Sequence, residues 1–156
     1  VLDQDGYLGL FGGAGAALSE AEWIAHANSA LPGNLSALRA RMLEGSRAQR
    51  CLRVCYEPGP GSYNFVGLSG GAIAEMLDQA VTHCGSLVTS HPCPTLTMTV
   101  NYLRAGTGAV FVADARVDQV TSATVLLSGE LSDSRGRHIA SASAVSQLIK
   151  DMTRLA

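Results

Sequence analysis

At 156 residues, 47% of them hydrophobic and only 15% charged, the chain is one domain's worth, able to bury roughly 68–70% of its unfolded surface without metals or disulfides. A net charge of −2 and the lack of any long basic run exclude the electrostatic footprint of a nucleic-acid binder. So little charge leaves surface that a second subunit would cover, and an oligomer is expected.

From Val1 to Ala17 the glycine-rich run GYLGLFGGAGAA has no steady period and reads as a flexible leader. Its glycines lack the spacing and the strand-to-helix context of a dinucleotide fingerprint. Ser19 followed by Glu22 makes a capping box, with Leu18 placed to staple it, and predicts a helix from about Glu20 to Ala30. Pro32, Gly33 and Asn34 break that helix. Leu35, Leu38, Met42 and Leu43 then recur at helical spacing and predict a second short helix ending at Gly45. Residues 18–46 are thus expected to be a helical extension, 47–150 the main domain and 151–156 a tail.

After Gly45 the period changes. Cys51 to Tyr56 reads as a strand closed by PGPGS, and a short extended piece near Asn64 to Val66 precedes a helix from about Gly71 to Thr89. His91 to Pro94 stops that helix. Four strand-like runs follow at hairpin distances: Thr95 to Leu103, Ala109 to Val120, Ala123 to Ser132 and His138 to Ile149. One apolar helix ahead of an antiparallel meander can bury itself only across one face of that sheet, which predicts an α+β two-layer domain with the sheet wrapped around the helix.

No apolar run approaches the roughly 20 residues of a membrane span, and the first residues have neither the basic start nor the long apolar centre of a signal peptide, so no membrane partner is expected. Cys51, Cys55, Cys84 and Cys93 show neither C-x-x-C spacing nor a paired cysteine–histidine cluster, which argues against a metal site and for free thiols in a reducing cytoplasm.

Two residues compete for the chemistry. Gly67 to Gly71, GLSGG, fits G-x-S-x-G, the nucleophile elbow of serine hydrolases. That elbow belongs to a parallel sheet of repeated βαβ units, with an acid and then a histidine arriving on later loops. Nothing here repeats that way, and His83, His91 and His138 lie at or just beyond the same helix or open a strand. A small polar residue closing a glycine turn is the stronger reading of Ser69. Asp78 is flanked by Ala74, Met76, Leu77, Ala80 and Val81, where a buried unpaired carboxylate would be costly. The plainer alternative puts it on a solvent-facing stripe with Glu75, Gln79 and Thr82.

GLSGGAIAEMLDQA, followed by TLTMTVNYLRA and GELSDSRGRHIASASA, resembles the hot-dog acyl-CoA thioesterases of the phenylacetate-pathway and 4-hydroxybenzoyl-CoA type, over roughly Gln49 to Ile149. The resemblance implies a hot-dog fold: an antiparallel sheet wrapped around a long central helix. It implies further that Gly70 offers its backbone N–H to the thioester carbonyl, with Gly71 beside it in the turn, and that Asp78 is the catalytic carboxylate. Asn64 falls one residue short of the family's polar residue that places water or substrate, and Thr95 falls where a hydroxyl supports the attacking water. The family's turn histidine is Ser69 here.

Gly70 and Asp78 are eight residues apart, about 12 Å along a helix. If both act on one carbonyl, they come from two chains, as in a homodimer or a dimer of dimers with equal sites. The expected substrate is an acyl-CoA, with no cofactor; Arg104, Arg135, Arg137 and Lys150 are candidate phosphate donors. A non-catalytic acyl-CoA binding or assembly domain and a hydroxyacyl-thioester dehydratase are the alternatives on the same scaffold.

Overall fold

A computed structural model describes residues 4–155, with side chains for 6–153. Its helices are α1 (Gln4–Leu8), α2 (Gly12–Ala17), α3 (Glu20–Ser29), α4 (Gly33–Ala37) and α5 (Gly70–Thr89); its strands are β1 (Arg41–Ser46), β2 (Cys51–Tyr56), β3 (Thr95–Tyr102), β4 (Phe111–Val120), β5 (Thr124–Asp133) and β6 (His138–Gln147).

The central helix forms where the sequence places one continuous apolar stripe. Ile73, Met76, Leu77, Ala80, Val81, Cys84 and Leu87 recur every three or four residues and are all buried. Ser69 starts α5 as its N-cap, and Ser90, in the left-handed region at φ 57°, ends it ahead of Pro92 and Pro94. The stripe lies across one face of a six-stranded antiparallel sheet, chiefly against β2, β4 and β5. Gly129 of β5 permits this approach, since a Cβ there would come within 3.0 Å of Val81. Beneath the helix the buried Tyr56 hydroxyl donates to the Met76 carbonyl at 2.8 Å. This is the predicted two-layer arrangement.

The sheet order, β1-β2-β4-β5-β6-β3, corrects the four-strand meander. β4, β5 and β6 are joined as consecutive hairpins, but β2 occupies the other edge of β4 through pairs such as Leu52 with Ala115. β3 is therefore carried to the far side and pairs with β6, leaving its own outer edge without a strand among the described residues.

Two N-terminal expectations are also corrected. The second helix stops at Ala37; Arg39, at φ 47°, turns the chain, and Met42 and Leu43 enter β1, one buried and one exposed. Strand alternation had mimicked helical spacing over those few residues. The segment read as a flexible leader is ordered from residue 4, and its first three residues lie outside the described ones. Leu10 and Phe11 are buried, and Gly15 packs so tightly on the Leu10 carbonyl that a Cβ would fall 1.8 Å from its oxygen. The Arg47 guanidinium pins this segment by donating to the carbonyls of Gly15 (3.0 Å), Leu18 (2.6 Å) and Leu87 (3.1 Å). The tail forms a 3₁₀ turn, Met152–Leu155, with Ala156 outside the described residues.

The predicted capping box on α3 is present in both directions, Glu22 N–H to Ser19 and Ser19 N–H to Glu22. Asn28 of α3 then covers the outer edge of β1, its amide exchanging two 2.9 Å bonds with the Met42 backbone.

Candidate functional site

The start of α5 gathers Ser69, Gly70 and Gly71. The Ser69 hydroxyl accepts from the Ala72 N–H at 3.2 Å and its carbonyl from the Ile73 N–H at 3.1 Å, so the serine serves as the cap. Among the described residues no histidine bonds that hydroxyl, and the elbow reading of GLSGG finds no support. The N–H groups of Gly70 and Gly71 have no acceptor among the described residues, and both glycines are exposed. Free donors at the positive end of a 20-residue helix suit a developing negative charge.

The turn is held from two sides. The Asn64 side-chain oxygen accepts from the N–H groups of Val66 (2.8 Å) and Gly67 (3.1 Å). The Tyr102 hydroxyl donates to the Gly70 carbonyl at 2.8 Å, and its ring lies 3.5 Å from where a Gly70 Cβ would stand. Asn64, Gly70, Tyr102 and Arg104 line a concavity of about 520 Å³. Arg104 is exposed, and its guanidinium has no ion pair among the described residues. Arg137 reaches the same end of the sheet, where Ile139 accepts from the Arg104 N–H, but its guanidinium is bound to Asp133 at 2.7 Å. Burial pushes the Asp133 carboxyl up, yet bonds from the Arg137 backbone and guanidinium and from the Arg135 N–H bring it below the usual carboxylate range.

Asp78 stands on the stripe shared with Glu75, Gln79 and Thr82, all half-buried, and not on the apolar face. It has a partner: the Thr95 hydroxyl donates to the Asp78 carboxylate. A register irregularity between Thr95 and Thr97 turns Thr95 toward α5, on the same face as Met98, Val100 and Tyr102. Asp78 and Thr95 open into a second groove, of about 480 Å³, which also meets Gln79, Thr82 and His83. The two concavities share no residue. The structure thus brings Asn64, Ser69, Gly70, Gly71 and Arg104 together, joins Asp78 to Thr95, and separates these groups along α5.

Two aromatic residues escaped the sequence reading. Tyr102 carried its signal openly, in the NYLRA strand end. Tyr7 was hidden in the glycine-rich run, although its spacing to Phe11 is helical; its ring now packs edge-on against Phe11 at 5.3 Å. His83 is buried, with Nδ1 2.7 Å from the Gln79 carbonyl and Nε2 3.0 Å from the Tyr7 hydroxyl. Only a protonated Nδ1 can donate to a carbonyl, so the Tyr7 hydroxyl donates to Nε2. Burial lowers the His83 pKa and pushes Tyr7 up to about 12, the Cys93 thiol adding to the latter.

Residues 67–140, just under half of the chain, match the family model of the thioesterase superfamily. The fold is the hot-dog fold, and this stretch is of that superfamily. Hot-dog structures match most of the chain. The PaaI protein of the Escherichia coli phenylacetic acid degradation operon is 18% identical with a TM-score of 0.74, over 83% of this chain and 94% of that one. A phenylacetic acid degradation-related protein from Ralstonia eutropha is 22% identical with a TM-score of 0.71, over 76% and 91%. A Streptococcus mutans protein bound to acetyl CoA is 21% identical with a TM-score of 0.63, over 69% and 86%. These likenesses establish the hot-dog architecture; no curated protein matches the sequence. Among the described residues no helix is long and apolar enough to cross a membrane, and no three His, Cys, Asp or Glu side chains are placed to hold a metal.

Proposed function

We propose that the protein hydrolyses an acyl-CoA thioester at a site shared by two copies of the chain. One observation carries this reading: the two half-sites sit at opposite ends of one strand edge that is unpaired among the described residues. Thr95 begins β3 and holds Asp78; Tyr102 ends β3 and holds Gly70. The outer edge of β3 is free among the described residues, with Leu96 and Tyr102 exposed, the kind of edge that recruits another strand. Two copies pairing antiparallel through this edge, about a two-fold axis near Met98 and Thr99, set Thr95 of one opposite the Tyr102 end of the other. The same operation carries Asp78 toward the partner's Gly70, and the 12 Å gap within one chain ceases to matter.

At such a site the Gly70 N–H donates to the developing oxyanion, a donor worth on the order of 100- to 1,000-fold in rate. Asp78 of the other protomer takes a proton from water while the water oxygen attacks the carbonyl carbon, or attacks that carbon itself to give a mixed anhydride that water then opens. In either course the C–S bond breaks and the coenzyme leaves as its thiol. Arg104, beside Gly70, meets the coenzyme phosphates, with Arg135 and Lys150 as further cations and Arg137 available by exchange from Asp133. Water is the only co-reactant, and four free cysteines fit a reducing compartment such as the cytoplasm. The Streptococcus mutans neighbour with acetyl CoA supports coenzyme binding on this scaffold. The dehydratase alternative needs a free catalytic histidine, and both ring nitrogens of His83 are engaged.

The test is thiol release from a panel of short, long and aromatic acyl-CoAs. Asp78→Asn should lose roughly 100- to 10,000-fold in turnover. Full turnover by that variant refutes the assignment, and tight binding without hydrolysis across the panel favours a non-catalytic acyl-CoA binding domain.

A further inference from the structure

Building on the thioesterase reading, we propose that Tyr7 is the specificity-determining residue of the acyl site: α1 lies across the groove leading from Asp78 and limits it to short aliphatic or single-ring acyl groups.

The groove follows α5 away from Gly70. Asp78, Gln79, Thr82, His83 and Ser86 line one side, and Pro92 to Thr95 the other. Tyr7, Leu8 and Phe11 of the N-terminal segment border it as well, Tyr7 being tied to His83. His83 is five residues beyond Asp78, about 7.5 Å of helical rise. A zigzag chain of about six carbon–carbon bonds, each about 1.5 Å, spans that distance before meeting the phenol. A flat ring fits the same depth and can lie against the edges of Tyr7 and Phe11. A dodecanoyl chain, about eleven such bonds, would run past Tyr7.

The wall is fixed by contacts that do not involve Tyr7. Leu10 is buried, with its carbonyl accepting from the Trp23 indole N–H at 3.2 Å, and the Gly12 N–H reaches the Ser90 carbonyl at 2.6 Å. The His26 ring also bonds the Gly6 carbonyl. Substitution at Tyr7 therefore alters the depth of the groove with the segment still attached, and Trp23, the chain's single tryptophan, reports on that attachment by its fluorescence.

The experiment measures kcat/KM over acetyl-, hexanoyl-, decanoyl-, dodecanoyl- and phenylacetyl-CoA for the wild type, Tyr7→Ala and Tyr7→Trp, with calorimetric binding of the same series. The wild type should lose at least about tenfold between hexanoyl and dodecanoyl, Tyr7→Ala should raise the dodecanoyl-to-hexanoyl ratio by about tenfold or more, and Tyr7→Trp should move the cut-off to shorter chains. Identical chain-length profiles in all three proteins, by hydrolysis and by binding, with the Trp23 emission of Tyr7→Ala unchanged from the wild type, overturn the proposal. Absence of hydrolysis from every ester defeats the thioesterase reading instead, and the binding series then decides on Tyr7 independently.

Discussion

Replacing Gly70 by proline removes one hydrogen-bond donor from the candidate site with little disturbance to the fold. Gly70 is the first residue of α5, the position where proline is best tolerated because its N–H has no intrahelical acceptor. The residue before it is already suited: Ser69 has φ −66° and ψ 150°, the extended conformation that proline imposes on its predecessor. A Cβ at position 70 meets the Tyr102 ring at 3.5 Å, an ordinary van der Waals contact. No existing bond of the Gly70 N–H is lost, and the stiffer unfolded chain adds up to about 1 kcal/mol of stability. Turnover should nevertheless fall by roughly 100- to 1,000-fold, about 2.7–4 kcal/mol of lost transition-state stabilisation. Gly70→Ala, which keeps the N–H and gains the same Cβ, is the control and should lose far less. Thiol-release kinetics beside thermal melts read both effects. Proline and alanine variants that fold normally and turn over alike would refute the assignment of this N–H.

Ser69→Ala should cost about 0.5–2 kcal/mol of stability through the lost cap and keep most of its turnover, whereas loss of a true nucleophile would cost on the order of a millionfold; melts and single-turnover rates distinguish these. Arg104→Ala should raise KM for the coenzyme esters by about tenfold with kcat little altered, and should leave KM for an acyl-pantetheine lacking the nucleotide phosphates unaffected. The buried His83 has a folded pKa below its ordinary 6.5, so the unfolded chain binds the proton first. Stability is then full above about pH 6.5 and declines as the pH falls toward the folded value; urea titrations should show that decline lessened in His83→Gln.

The central helix and the β4–β5–β6 hairpins were legible because each rests on local signals: one apolar stripe with a serine cap, and strand runs separated by turn residues. Position of β3 was not, since a hairpin-length connection does not identify which edge a strand joins, and that depends on β2 having taken β4. The leader was misread for a related reason. Helices made of GGAGAA have little intrinsic stability; they exist here because Leu10 and Phe11 are buried and Arg47 binds three carbonyls from elsewhere in the chain. Asp78 and Gly70 came from a resemblance, and the residues alone favoured a polar stripe for Asp78. The stripe is correct, and what it could not disclose is the Thr95 hydroxyl reaching across from β3. Tyr102 lay in a motif already noticed, without a role until its hydroxyl met the Gly70 carbonyl.

Co-expression of Asp78→Asn with Gly70→Pro tests the shared site most directly. Each variant alone is expected to be nearly inactive. In a mixed dimer one site receives the intact Gly70 from the first chain and the intact Asp78 from the second, so random pairing should recover about a quarter of wild-type activity. If both groups act within a single chain, mixing the two variants recovers nothing.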